Sequence, residues 1–127
     1  AGGDLLVTNG DALGSGTLQI DSGTSVIVNA VADSTVAANL TGDGLFDKAG
    51  AGKVTLTGNG TQFGGTIGIQ NGILQIAGDQ NIGTSPGGVF INTQGTLQID
   101  TAGSTNLATV VYGSGNVVKT GAGTVFM

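Results

Sequence analysis

The stretch Lys53-Val-Thr-Leu-Thr-Gly-Asn-Gly-Thr-Gln-Phe-Gly-Gly-Thr-Ile-Gly-Ile-Gln-Asn-Gly-Ile-Leu-Gln-Ile76 decides the fold. Val54 and Leu56, Ile67 and Ile69, and Leu74 and Ile76 are apolar pairs separated by one polar or small residue, the period of a strand buried on one face. Between the pairs lie Asn59-Gly60, Gly64-Gly65 and Asn71-Gly72, whose residue types supply turn conformations. The same alternation recurs at Leu18/Ile20, Val89/Ile91, Leu97/Ile99 and Val125/Met127, and Asn9-Gly10 adds another turn.

Corresponding pairs return at near-constant intervals. Val54 to Leu74 is 20 residues, Ile67 to Val89 is 22 and Leu74 to Leu97 is 23. That is enough chain for three short strands and three turns. Antiparallel hairpins in a sandwich would use the same alternation, but they do not require whole motifs to return in sequence order. The spacing therefore predicts an all-β fold, a right-handed single-stranded parallel β-helix of about six coils with open ends. At roughly 4.8 Å per coil the column is about 29 Å tall. A lone coil does not offset its ordering cost, whereas stacked coils share one core.

Longer motifs repeat as well. Gly16-Thr-Leu-Gln-Ile-Asp21 returns as Gly95-Thr-Leu-Gln-Ile-Asp100, 79 residues later, with a looser copy at Gly72-Ile-Leu-Gln-Ile76. Gly42-Asp-Gly44, running on to Lys48-Ala-Gly-Ala-Gly-Lys-Val54, matches Gly113-Ser-Gly115, running on to Lys119-Thr-Gly-Ala-Gly-Thr-Val125, at an offset of 71. The eight-residue difference predicts an insertion or deletion between the motifs, near Ser25 to Ala32.

Composition agrees. The 127 residues include 26 Gly and one Pro, with no His, Cys, Arg, Glu or Trp, so good helix formers are scarce. Collagen is excluded because no Gly-X-Y period exists. Disorder is excluded because 39% of the residues are hydrophobic and 9% charged. The net charge of −5 disfavours nucleic acid and anionic membranes as partners. No apolar run reaches bilayer length, so no membrane insertion by this segment is expected. The lack of Cys removes disulfides and thiolate metal sites and suits an oxidising compartment.

Lys48-Ala-Gly-Ala-Gly-Lys-Val-Thr-Leu-Thr-Gly-Asn-Gly-Thr-Gln-Phe-Gly-Gly-Thr-Ile-Gly-Ile69, followed by Gln70-Asn-Gly-Ile-Leu-Gln-Ile76, resembles the passenger-associated transport repeat of bacterial autotransporters. That repeat typically reads K-x-G-x-G-T-L-T-L-S-G-x-N-T-Y-S-G-G-T-x-V-x-x-G-x-L-x-V. Phe63 takes its aromatic position, and Asp79-Gln-Asn-Ile-Gly83 looks like its D-x-x-L-G step. One near-complete copy covers about 48–99 and partial copies about 3–21 and 111–127, so residues 1–127 read as a single β-helix segment of a longer passenger. The resemblance implies a structural stalk, acting as spacer or adhesin scaffold on the cell surface of a Gram-negative bacterium. It brings no catalytic residues, and no cofactor is expected.

Chemistry outside the resemblance is thin. A Ser-His-Asp or Cys–His arrangement is impossible without His and Cys. Asp43 and Asp47 are the closest carboxylate pair and the only basis for a carbohydrate-active enzyme; the plainer reading is a turn Asp and a solvated Asp that pairs with Lys48. No calcium-solenoid nonapeptide occurs, so no metal is expected. Gly50-Ala-Gly-Lys53 lacks the first Gly and the Ser/Thr of a phosphate loop, and a single Thr-x-Thr, Thr55-Leu-Thr57, falls short of an ice-binding face. The Asn39-Leu-Thr41 and Asn59-Gly-Thr61 triplets read as turns. By alternation Phe90 and Phe126 point outward; with Tyr112 they are candidate surface contacts for a host or neighbouring-cell surface. Uncapped ends raise a further alternative, a self-assembling extracellular filament built by homotypic end-to-end stacking.

Overall fold

The computed structural model describes residues 3–83, 87–107 and 109–126. Every described strand pairing is parallel, and among the described residues the only helical pieces are two single 3₁₀ turns, Gly10–Leu13 and Asp79–Asn81. The chain winds into a β-solenoid of about six coils, each with up to three strand faces.

The first coil holds β1 (Gly3–Val7), the 3₁₀ turn Gly10–Leu13 and β2 (Thr17–Gln19). The second holds β3 (Thr24–Asn29), β4 (Ser34–Val36) and β5 (Asn39–Gly42), and the third β6 (Leu45–Ala49), β7 (Lys53–Leu56) and β8 (Gln62–Phe63). In the fourth coil β9 (Thr66–Ile76) runs through the first two faces, and Asp79–Asn81 follows. The fifth repeats this with β10 (Val89–Asp100), then β11 (Ser104–Asn106). The sixth has β12 (Val111–Gly113), β13 (Asn116–Thr120) and β14 (Thr124–Phe126).

Register fixes the coil length. Ser25 lies opposite Leu45, Leu45 opposite Thr66, Ile67 opposite Val89 and Leu74 opposite Leu97, intervals of 20, 21, 22 and 23 residues. The apolar pairs of the sequence are thus true vertical neighbours. The longest ladder runs β1-β3-β6-β9-β10-β12, the first face of all six coils. Along it Val26, Phe46, Ile67 and Val89 form one inward row, each almost fully buried. A second inward row on the next face is Ser34, Val54, Leu74 and Leu97. The core is one continuous stack. Val125 packs against it, while its sequence partner Met127 lies outside the described residues.

The long motifs occupy unexpected places. Thr17-Leu-Gln19 is on the third face, paired with β5, whereas Thr96-Leu-Gln98 is on the second, paired with β9 and β13. Likewise Leu45–Ala49 lies on the first face and its counterpart Asn116–Thr120 on the second. Three strands separate the two motifs at their first occurrence, β3, β4 and β5, but only β11 and β12 at their second. The eight-residue difference therefore corresponds to one strand with its turn, and the stretch Ser25 to Ala32 holds β3, one of the three strands of the longer interval.

Glycine permits the tight stacking at one corner in particular. A Cβ on Gly65 would strike the Gly44 carbonyl oxygen of the coil beneath. Gly64 donates to the Gly42 carbonyl at 2.9 Å and Thr66 to that of Gly44 at 3.1 Å, so the two backbones hold each other directly at this turn.

Candidate functional site

Side chains that alternate away from the core form outward rows. On the first face one row is Ile27, Asp47, Gly68, Phe90 and Tyr112. Phe90 and Tyr112, one coil apart, stack with ring centroids 5.4 Å apart and planes tilted by 57°. Such edge-tilted contact suits the ring quadrupoles. The Tyr112 hydroxyl donates weakly to the Gly87 carbonyl at 3.4 Å. Phe90 is consequently half-buried, less exposed than simple alternation suggests, while Tyr112 stays 46% exposed.

Phe126 is not part of this group. It lies on β14, opposite Asn106 of β11, on the third face, and is 58% exposed. The structure brings two of the three candidate aromatics together and sets the third on another side of the column.

Beside the aromatic pair runs a polar chain. The Gln70 amide nitrogen donates to Asp47 Oδ1 at 3.1 Å, and Asn92 Nδ2 donates to Gln70 Oε1 at 3.4 Å. Gly68 makes room for it: a Cβ there would meet Asp47 Oδ1 at 2.6 Å. Partial burial pushes the Asp47 carboxyl above the ordinary range, and the bond from Gln70 works against that rise. Asp43 is elsewhere, in the turn before β6 with Oδ1 against Gly64. Among the described residues no group of three or more His, Cys, Asp or Glu converges as a metal site would require.

Lys48 corrects the expectation of a solvated Asp47 that pairs with it. It stands in the inward row between Val28 and Ile69 and is fully buried. Its ammonium donates to the carbonyls of Ala49 at 3.0 Å, Gly50 at 2.7 Å and Asn71 at 2.8 Å, the last in the coil above. Removal from water lowers its pKa to about 8. Three acceptors satisfy its three donors. The side chain is a bolt between the third and fourth coils, with no part in surface chemistry. Its parity with Phe46 is the sequence signal that would have found it.

Asn59-Gly-Thr61 is a turn, as read, whereas Asn39-Leu-Thr41 is not: it lies in the strand β5, paired with Thr17–Gln19. Asn59 Oδ1 accepts from Thr61 N at 2.9 Å and Thr61 Oγ1 at 2.6 Å, and Asn39 Oδ1 accepts from Asn59 N at 2.8 Å. Sequence reading did not single out Gln75, Gln80 or Asp100, which share a groove across three coils.

No protein-family model matches the chain, and no solved structure matches it. Its sequence is 32% identical, over an alignment of 144 residues, to the adhesin BmaC autotransporter of Brucella suis biovar 1 (strain 1330). The alignment takes in 94% of this chain and 4% of that protein, so the chain spans a small fraction of its relative's length. The relative is named as an adhesin rather than an enzyme. No described helix is long and apolar enough to cross a membrane. Coil spacing, the parallel ladder and this similarity are together consistent with an autotransporter passenger β-helix.

Proposed function

We propose that the chain is a stiff, non-catalytic spacer on the surface of a Gram-negative bacterium, a length of column that holds adhesive parts of a longer passenger away from the cell. The observation that carries this reading is the unbroken first-face ladder through all six coils. Such a column resists bending because each coil is hydrogen-bonded along its length to the next. Asp47, one of the two carboxylates weighed for catalysis, accepts a hydrogen bond from Gln70.

A spacer tolerates the loss of one coil in register. Removing residues 67–88 brings Val89 to the position of Ile67, its vertical neighbour, and shortens the column by one coil. Cells carrying the full passenger with this deletion should still display it at the surface. A deletion of half that length places outward residues inside and should abolish display. Equal loss in both would overturn the spacer reading. Enzymatic function has its own test: polysaccharide cleavage lost in the Asp43→Asn, Asp47→Asn double variant would establish it.

Filament assembly is a second reading, favoured by the aliphatic side chains on the outer coils. Leu5 and Leu6 are 47% and 59% exposed on β1, and Val117 and Val118 are each 43% exposed on β13. Sedimentation of the purified chain distinguishes the two: a monomer at all concentrations supports the spacer, and growing polymers support the filament.

A further inference from the structure

A groove of about 510 Å³ runs along the column at the corner after the second face, crossing the third, fourth and fifth coils. Thr55 and Asn59 line it from one coil, Gln75 and Gln80 from the next, and Asp100 from the one above. Its size is within the range of small-molecule sites.

One wall is built by the 3₁₀ turn Asp79–Asn81. Asn81 Oδ1 accepts from Ala77 N at 2.8 Å, and its Nδ2 donates to the Gly58 carbonyl at 2.8 Å. Gly60 N donates to the Gln80 carbonyl at 2.7 Å. The turn is thus tied to the coil beneath, and the groove exists before anything binds, which lowers the ordering cost of binding.

The floor holds an unmet hydrogen bond. Gln75 Nε2 makes a long bond to Asp100 Oδ2 at 3.4 Å, and Gln75 Oε1 is covered with no partner. The carboxylate only accepts, so it fixes which end of the amide faces it. A covered carbonyl oxygen without a donor is unfavourable. A small rotation of Gln75 into the groove, towards a hydroxyl donor, relieves it.

The lining selects the ligand class. Among the described residues no lysine lines the groove and Asp100 is its single ionic group, so an anion is disfavoured and a divalent cation has too few oxygens. Amides, hydroxyls and one carboxylate suit a neutral molecule that offers adjacent hydroxyls as both donors and acceptors. We infer that this groove is a binding site for a neutral saccharide unit, in which Gln75 and Asp100 accept from neighbouring hydroxyls and Gln80 donates from the turn. The site goes beyond the spacer reading, since a rigid column stands with or without it.

The test is titration of the isotope-labelled 127-residue chain, followed by NMR, with the methyl glycosides of glucose, galactose and mannose, and with glucuronate as the anionic comparator. At least one neutral glycoside should shift the side-chain amides of Gln75 and Gln80 saturably. Gln75→Leu should weaken that binding about tenfold, the scale of one lost hydrogen-bonding group in a polar site. Gln98→Ala, outward on the same face but outside the groove, should leave it unchanged. Where Gln75→Leu loses its dispersed spectrum, Asp100→Asn serves instead, with a severalfold weakening expected. No saturable shift with any neutral glycoside, tighter binding of glucuronate, or undiminished affinity in the groove variants would overturn the site.

Discussion

Lys48 reaches from the interior of the third coil to the main-chain carbonyl of Asn71 in the fourth, 2.8 Å away, and so joins two coils by a bond that is neither a ladder hydrogen bond nor an apolar contact. Lys119, its counterpart in the later copy of the motif, makes the same local bond to the second residue on, Gly121, at 2.7 Å, just as Lys48 does to Gly50. Lys119 is exposed, however, and no bond from it to another coil is described.

That difference sets unequal costs for one substitution. Lys48→Met leaves the carbonyls of Ala49, Gly50 and Asn71 without this donor inside the column, against a saving in charge desolvation. A net loss of about 2–3 kcal/mol is expected. Lys119→Met removes one exposed bond and should cost less than about 1 kcal/mol. Chemical denaturation of the two variants, read by circular dichroism, compares them directly; equal costs would contradict the buried bolt.

Lys48 also makes stability depend on pH. Its folded pKa of about 8 lies below the ordinary value of 10.5. Between those values the unfolded chain holds more proton than the folded one, so stability rises with pH across that window and is flat below it on this account. Denaturation midpoints measured from pH 7 upwards to about 10 should therefore increase in the wild type. In Lys48→Met this increase should be absent. A midpoint that falls over the window in the wild type would show that the three carbonyls hold the ammonium more strongly than burial opposes it.

Coil length was legible because strand alternation and turn residues report the vertical neighbour whichever face they occupy: Val54 over Leu74 needs only the 20-residue interval. Face position was not legible, because corners on different faces solve the same packing problem. A Cβ on Gly44 would meet Ile20 Cγ2 and the carbonyls of Asp21 and Thr24, and one on Gly115 would meet Ile91 Cγ2 and the carbonyls of Asn92 and Gly95. The motif thus encodes a turn, a strand and a second turn, and the chain uses it at different corners. Lys48 escaped because residue type was weighed above parity. The groove escaped because Thr55, Gln75 and Asp100 meet only when three coils are stacked, and no single stretch contains them.

Glycine substitutions should separate structural corners from open ones. Gly65→Ala drives a Cβ into the Gly44 carbonyl, a backbone atom that cannot swing aside, and should cost about 3 kcal/mol by forcing the coils apart. Gly103→Ala meets nothing within 4 Å and should be neutral or slightly stabilising, since alanine restricts the unfolded chain. Thermal unfolding of both variants checks the contrast. A tolerated Gly65→Ala would mean that the third and fourth coils do not pack at this corner as described.

The aromatic side chains give a test of face assignment that needs no ligand. Phe90 and Tyr112 touch across one coil step, so truncating either removes the same contact. A double-mutant cycle with Phe90→Ala and Tyr112→Ala should return a coupling of about 0.5–1.5 kcal/mol. Phe126 is on the third face and shares no described contact with either ring, so cycles pairing Phe126→Ala with each should give coupling within about 0.3–0.5 kcal/mol of zero. Cell adhesion measured with the same variants then separates roles: loss on removing Phe90 or Tyr112, with Phe126→Ala unaffected, would make the first face the contact surface, whereas equal loss in all three would point to stability rather than recognition.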